Sequence, residues 1–342
     1  MIDLFSDTRT QPSAGMRRFM AEAEVGDEQA DLDPTVTTLC ERVADLLGKE
    51  SAVYLPSGTM CNEIAYRVHC KPGDEIILDR TAHGIIAEAG GPAALALAML
   101  YPLDGECGQF RPEQVEGAIR SGSRYEPRSR LISIEQTSNW GGGSIWPLET
   151  IRAIGDIATS HGLAMHMDGA RLMNAVVESG VEARAYAEPF DSLWLDFSKG
   201  LGAPVGAVLA GSADFIHEAW RLKQQMGGAM RQAGIIASAC LYALDHNVER
   251  LREDHENARR LASGLAELDG VRLNPDLIDT NIIFFDLDPE WPTARSVASR
   301  LLESGVRIGA MGERRMRAVT HLDIDSAAID TALEAMSEAL RA

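Results

Sequence analysis

Short apolar runs alternate with longer stretches whose apolar residues recur at helical spacing, as far as about residue 247. A strand covered on both faces reads as a continuous apolar run, whereas a covering helix shows a single apolar stripe. The pattern therefore predicts an α/β fold built on a largely parallel sheet with crossover helices. Strands are expected over 52–55, 75–78, 131–134, 163–167, 192–195 and 205–210. The segment 147–161 carries acid early, apolar residues at helical spacing and a closing His-Gly, which marks a helix. Beyond Asn247 the character changes to a long charged amphipathic helix over 248–268 and a strand-like run over 281–287. A helix over 294–304, a short strand over 316–319 and a terminal helix from Ser326 follow. That second pattern predicts a smaller α+β unit.

The length of 342 residues suits a large domain with a smaller companion. A net charge of -19 opposes binding to nucleic acid or to an anionic membrane, and its even spread reads as solubility. Cys40, Cys61, Cys70, Cys107 and Cys240 are scattered without disulfide or metal spacing, which fits a reducing, cytoplasmic setting. The first residues lack the basic and apolar regions of a secretion signal, and no apolar run is long enough for a bilayer.

Two motifs carry candidate chemistry: Met167-Asp168-Gly169-Ala170-Arg171, and the run from Asp196 through Ser198-Lys199-Gly200 to Pro204. Each follows an expected buried strand, so Asp168 and Lys199 should project into one crevice at the carboxyl ends of the sheet. Pyridoxal phosphate needs such a pair: an amine for the Schiff base and a carboxylate facing the pyridine nitrogen. An isolated Asp and Lys would more often be a structural ion pair and a surface charge. The small residues around Lys199, which let a flat ring approach, favour the cofactor. Ser57-Gly58-Thr59 opens a helical run after a strand and offers N–H groups and hydroxyls to a phosphate, though ordinary helix capping uses the same residues. The glycines between Gly200 and Gly206 lack dinucleotide-fingerprint spacing and lead into a strand, which counts against an NAD-dependent oxidoreductase. His161 and His166 are separated by extended chain and make no metal pair; no metal site is expected.

In this order the motifs resemble the threonine aldolases, within the β-eliminating-lyase group of fold-type-I pyridoxal-phosphate enzymes. The similarity runs from Ser6-Asp7-Thr8 and Asp33-Pro34-Thr35 through Pro56-Ser57-Gly58-Thr59-Met60 and Ala82-His83. It continues through Asp168-Gly169-Ala170-Arg171, Ser198-Lys199-Gly200, Met230-Arg231-Gln232 and Val319-Thr320-His321. The resemblance implies that Lys199 forms the Schiff base, Asp168 pairs with the ring nitrogen, and His83 stacks on the ring and helps deprotonate the substrate hydroxyl. Gly58 and Thr59 would hold the phosphate, with Arg231 reaching it from a neighbouring subunit, and Ser57, Arg171 and Ser198 would also contact the cofactor. Ser6, Arg171 and Arg317 would bind the substrate carboxylate.

The chain departs from that pattern at the substrate end. Ser138 stands where a substrate-touching His is usual, Ala30 where a Tyr is common, and Asp196 where a small or apolar residue is common. The expected activity is cleavage of a β-hydroxy-α-amino acid such as L-threonine or L-allo-threonine to glycine and an aldehyde. Elimination, racemisation or side-chain exchange on another small amino acid is the alternative. The resemblance also implies a homodimer or homotetramer. The expected organisation is an N-terminal segment over 1–14 associated with the active site, a large cofactor-binding domain over 15–246 and a small domain over 247–342.

Overall fold

A computed structural model describes residues 1–341. In chain order the strands begin with β1 (Ile2–Asp3), β2 (Ser51–Leu55), β3 (Asp74–Asp79), β4 (Met99–Leu103) and β5 (Arg128–Glu135). β6 (Ala164–Asp168), β7 (Ser192–Asp196) and β8 (Ala207–Gly211) follow. The C-terminal part carries β9 (Val271–Arg272), β10 (Ile282–Leu287), β11 (Val306–Arg307), β12 (Gly309–Ala310) and β13 (Arg315–Val319).

A seven-stranded sheet has the order β2-β8-β7-β6-β5-β3-β4. Neighbours from β7 through β4 pair in parallel, and β8 runs antiparallel to both β7 and β2. Every strand expected in this region is present. β7 and β8 are buried along their whole lengths, as continuous apolar runs require. The pattern missed β4, where Pro102 interrupts the run. β4 lies at the sheet edge, where a residue without an N–H donor is tolerated. The helix expected over 147–161 is Leu148–His161, which buries Ile151, Ile154 and Ala158 and ends at Gly162 in the left-handed conformation. Full burial of an isoleucine contributes roughly 1.5–3 kcal/mol relative to leaving it exposed.

The second sheet is antiparallel, with four strands in the order β12-β13-β10-β9. Leu261, Leu265, Phe285, Val297, Met316 and Met336 form its core together with Leu4 from the other end of the chain. β1 pairs in parallel with β11, and the Val319 N–H donates to the Leu4 carbonyl at 2.9 Å. The first residues are thereby stitched to the C-terminal unit, close to the carboxyl ends of the large sheet. No helix among the described residues is long and apolar enough to cross a membrane.

Asp33 shows how one polar residue organises the entry to this architecture. Its Oδ1 accepts from the Thr35 and Val36 N–H groups and caps the helix Pro34–Leu47. Its Oδ2 accepts from the Gly26 and Gly234 N–H groups, tying three segments together. Asp33→Ala leaves these buried donors without a partner and lowers stability by about 2–3 kcal/mol. The check is a lower urea midpoint at an unchanged m value.

Candidate active site

Open α/β sheets bind ligands beyond the carboxyl ends of their parallel strands, and a cavity of about 320 Å³ lies there. Glu135, Asp168 and Asp196 end β5, β6 and β7, while Ser57 and His83 follow β2 and β3. Ser6, Ser57, Gly58, Thr59, His83, Asp168, Arg171, Ser198, Lys199 and Arg317 all line the cavity. So do Thr8, Glu135, Asn139, Trp194 and Asp196, to which the sequence reading gave no role.

Two expected residues lie elsewhere. Ser138 is 3% exposed, its Oγ accepting from the Gly141 N–H at 3.2 Å. That oxygen points at the 107–108 turn, where a Cβ added to Gly108 would sit 1.9 Å away. Arg231 is exposed and paired with Asp27 at 2.9 Å, outside the cavity of its own chain.

At one end of the cavity the helix Gly58–His69 begins, with Ser57 as its cap and the Ser57 Oγ accepting from the Met60 N–H. The first N–H groups of such a helix have no partner within it and carry the positive end of its dipole, which suits a phosphate. Gly58 is enforced by packing: an added Cβ would lie 2.1 Å from the Trp194 ring.

The middle is built on Asp168 and Lys199. Asp168 accepts from Asn62 Nδ2 at 2.8 Å and from the Ala170 N–H at 3.1 Å. Burial raises its pKa, and the nearby positive charges of His83 and Lys199 partly offset that. Asn62 uses its whole amide. Nδ2 donates to Asp168 and Glu88, while Oδ1 accepts from Trp194 Nε1 and faces His166 Nε2 at 3.2 Å. Lys199 Nζ donates to Asp196, whose other oxygen accepts from the Ser198 N–H and hydroxyl. The amine lies 5.6 Å from the Trp194 ring centroid.

His83 is half-buried. Its N–H donates to Glu135 at 2.9 Å and its Nδ1 lies 2.8 Å from Glu88. The Glu88 bond raises the imidazole pKa, opposed by burial. Glu135 also accepts from the Asn139 N–H, clamping the His83 and Asn139 segments together. Burial and the Asp168 charge push Glu135 up to about 7.

At the far end Arg171 and Arg317 differ in charge balance. Arg171 makes a bidentate pair with Asp7, both contacts at 2.7 Å, and both side chains are almost fully buried. Burial pushes the Asp7 carboxyl up, but Arg171, by charge and by hydrogen bond, carries it well below the usual carboxylate range. Arg317 has no carboxylate partner among the described residues. It donates to Asn139 Oδ1 and to the Phe5 carbonyl, and its Nε has no acceptor. Burial and the neighbouring Arg171 lower its pKa. An anion in the cavity would balance that charge.

These residues are consistent with pyridoxal phosphate: a helix N-terminus with hydroxyls, an imidazole on the cavity wall, a buried carboxylate, an amine and an uncompensated guanidinium. Comparison with known proteins agrees. The Beta-eliminating lyase family matches residues 3–288. The chain belongs to that family. Among curated relatives, low-specificity L-threonine aldolase 1 of Arabidopsis thaliana is 38% identical over 99% of this chain and 96% of its own. The low specificity L-threonine aldolase of Escherichia coli is 39% identical over 95% of both chains. The fold matches that of a Leishmania major threonine aldolase structure, with TM-score 0.84, 18% identity and coverage of 99% of this chain and 100% of that one. A serine palmitoyltransferase from Sphingomonas wittichii shares the fold at TM-score 0.76 and 18% identity, covering 99% and 87% of the two chains. This member of the family thus has the expected fold-type-I architecture, a large mostly parallel sheet flanked by helices with a smaller α+β unit.

Sequence reasoning missed Asp7, Asn62, Glu88 and Glu135. One signal was available: Asn62 and Glu63 interrupt the otherwise apolar buried side of a helix between Cys61 and Ile64. The Asp7 pair also gives a prediction. Because the folded state holds Asp7 below its unfolded value, its stabilisation is present above that value and is lost as pH falls. Asp7→Asn strands a buried guanidinium and destabilises the protein by about 3–5 kcal/mol at neutral pH. The gap from wild type narrows below about pH 4. Urea unfolding of both proteins at neutral and acid pH measures it.

Proposed function

We propose that this chain is a pyridoxal-phosphate-dependent aldehyde-lyase that cleaves an L-threonine-like β-hydroxy-α-amino acid to glycine and an aldehyde. The observation that carries this reading is the convergence of Lys199, Asp168 and an uncompensated Arg317 in one cavity. The names of the relatives support the reaction class.

When bound, pyridoxal phosphate supplies the aldehyde that captures an amine and the ring that accepts electrons from a breaking bond. Gly58 and Thr59 offer backbone N–H groups to its phosphate, with the Ser57 and Ser198 hydroxyls beside them. Asp168, oriented by Asn62, keeps a proton on the ring nitrogen. Arg317 takes the substrate carboxylate through its paired donors, and Ser6 and Arg171 complete that end. Asp7 already neutralises Arg171, so Arg317 supplies the net charge that holds the carboxylate. A carboxylate fixed there would set the orientation of the bonds at the substrate Cα. His83 lines the cavity with Nδ1 held by Glu88, so it would stack on the cofactor ring and its Nε2 would take the substrate's hydroxyl proton. Ser138, whose hydroxyl turns away from the cavity, acts on the substrate end only through the Asn139 segment that it anchors.

The reading extends to assembly and location. Arg231 serves the phosphate of a neighbouring subunit in a homodimer or homotetramer, supported by its exposure and its distance from its own cavity. All five cysteines are free thiols, which supports the cytoplasm. Residues 1–14 belong to the active-site assembly, 15–246 to the cofactor-binding domain and 247–342 to the small domain; the two separate cores support that division.

Lys199→Ala removes the amine and abolishes both the visible absorbance of the loaded protein and glycine formation. Spectra and product assays on the two proteins check this, and an active, yellow variant would contradict the assignment.

A further inference from the structure

Behind His83 lies a pair of carboxyls that the proposed reaction does not use. Glu63 belongs to the helix Gly58–His69 and is 2% exposed; Glu88 is 5% exposed. Their carboxyls lie within hydrogen-bonding reach of one another. Glu88 Oε1 faces Asn62 Nδ2 and His83 Nδ1, each at 2.8 Å. The remaining oxygens, both of Glu63 and Oε2 of Glu88, meet no N–H or O–H donor. The turn at Gly91 seals the pair, since a Cβ added there would lie 2.0 Å from Glu63 Oε1.

Two adjacent buried carboxylates without donors repel each other and forfeit their hydration. A single proton removes both penalties, because a neutral Glu63 becomes a donor to Glu88 Oε2. We infer that Glu63 and Glu88 share one proton, and that the neutral Glu63 is a positioning residue for His83. Burial and the Glu88 charge push Glu63 up to about 8, in the same direction. Glu88 is then held by Asn62, His83 and Glu63 together and cannot turn from the imidazole. Its negative charge keeps a proton on Nδ1 and leaves Nε2 directed at the cavity.

The role of Glu63 rests on the proposed function, in which His83 acts on the substrate; the shared proton does not. The titratable groups facing the pair are Cys61 and Tyr66 on the same helix, His83, His166 and Asp168 on β6, and Glu135 on β5. Burial keeps Cys61, Tyr66 and His166 neutral and raises the pKa of Asp168 and Glu135, and of the groups named His83 is the one hydrogen-bonded to Glu88 through its ring. Loss of the shared proton removes the hydrogen bond that holds Glu88 and sets two carboxylates in repulsion, so the imidazole is no longer held in place through Nδ1. Activity should fall as pH rises through the titration of Glu63.

The test compares wild type with Glu63→Gln, which retains a donor to Glu88 but cannot ionise, and Glu63→Leu, which has no donor. Infrared difference spectra of wild type should show the carbonyl stretch of a protonated acid, bleaching near pH 8 and missing from Glu63→Gln. That readout needs neither cofactor nor substrate. In the loaded enzyme Glu63→Leu should lower kcat roughly tenfold with little change in KM, a fraction of what general-base catalysis contributes. Glu63→Gln should recover most of that loss and remove the alkaline fall in kcat/KM. Identical infrared spectra for wild type and Glu63→Gln would overturn the shared proton, as would equal pH profiles its role toward His83. A protonated-acid band that is missing from Glu63→Gln, in a protein that forms no glycine from any β-hydroxy amino acid, would uphold the pair and defeat the proposed function.

Discussion

The N-terminal segment is held to the large sheet by one buried ion pair, Asp7 to Arg171, with two contacts of 2.7 Å. Arg171 follows β6, and Asp7 also accepts from Asn281 at the start of β10. One carboxylate therefore joins the first residues, the large sheet and the small antiparallel sheet. Burying two charges is costly unless each is fully satisfied, and the bidentate geometry with a third donor meets that condition. The cavity inherits its charge pattern from this pair. With Arg171 neutralised, Arg317 is left as a buried cation without a carboxylate, next to Asn139 and the Phe5 carbonyl. The position of a bound anion follows from that asymmetry.

The opposite wall is organised by Asn62, whose amide joins Asp168, Glu88, Trp194 and His166. This fixes Asp168, the proposed partner of a ring nitrogen, and Glu88 sets the imidazole in turn. Glu135 ties the His83 turn to the Asn139 segment through two backbone N–H groups. The reacting groups thus sit on strand ends and are braced by buried side chains, the arrangement that holds a site to a fraction of an ångström.

Much of this was legible in the chain itself. Buried parallel strands write continuous apolar runs, and the carboxyl-end rule places Asp168 and Lys199 in one crevice without knowledge of the intervening chain. β4 was not legible because Pro102 masks an edge strand. The Asp7–Arg171 pair joins residues 164 positions apart, and no local pattern encodes such a partnership. Side-chain direction was equally hidden: Ser138 occupies the expected strand-end segment yet turns toward the 107–108 loop, because the glycines there leave it room. Glu63 looked like one more polar helix residue; only the fold shows that it meets Glu88 without a donor.

The central claim is that the geometry around Lys199 and Arg317 performs retro-aldol cleavage. The most direct measurement incubates cofactor-loaded protein with L-threonine, L-allo-threonine and a phenylserine, and quantifies glycine and aldehyde together. Glycine and aldehyde in equal amounts from at least one of them is the predicted result. A loaded, visibly absorbing protein that yields pyruvate and ammonia from a small amino acid, and no glycine or aldehyde from any of the three, would contradict it.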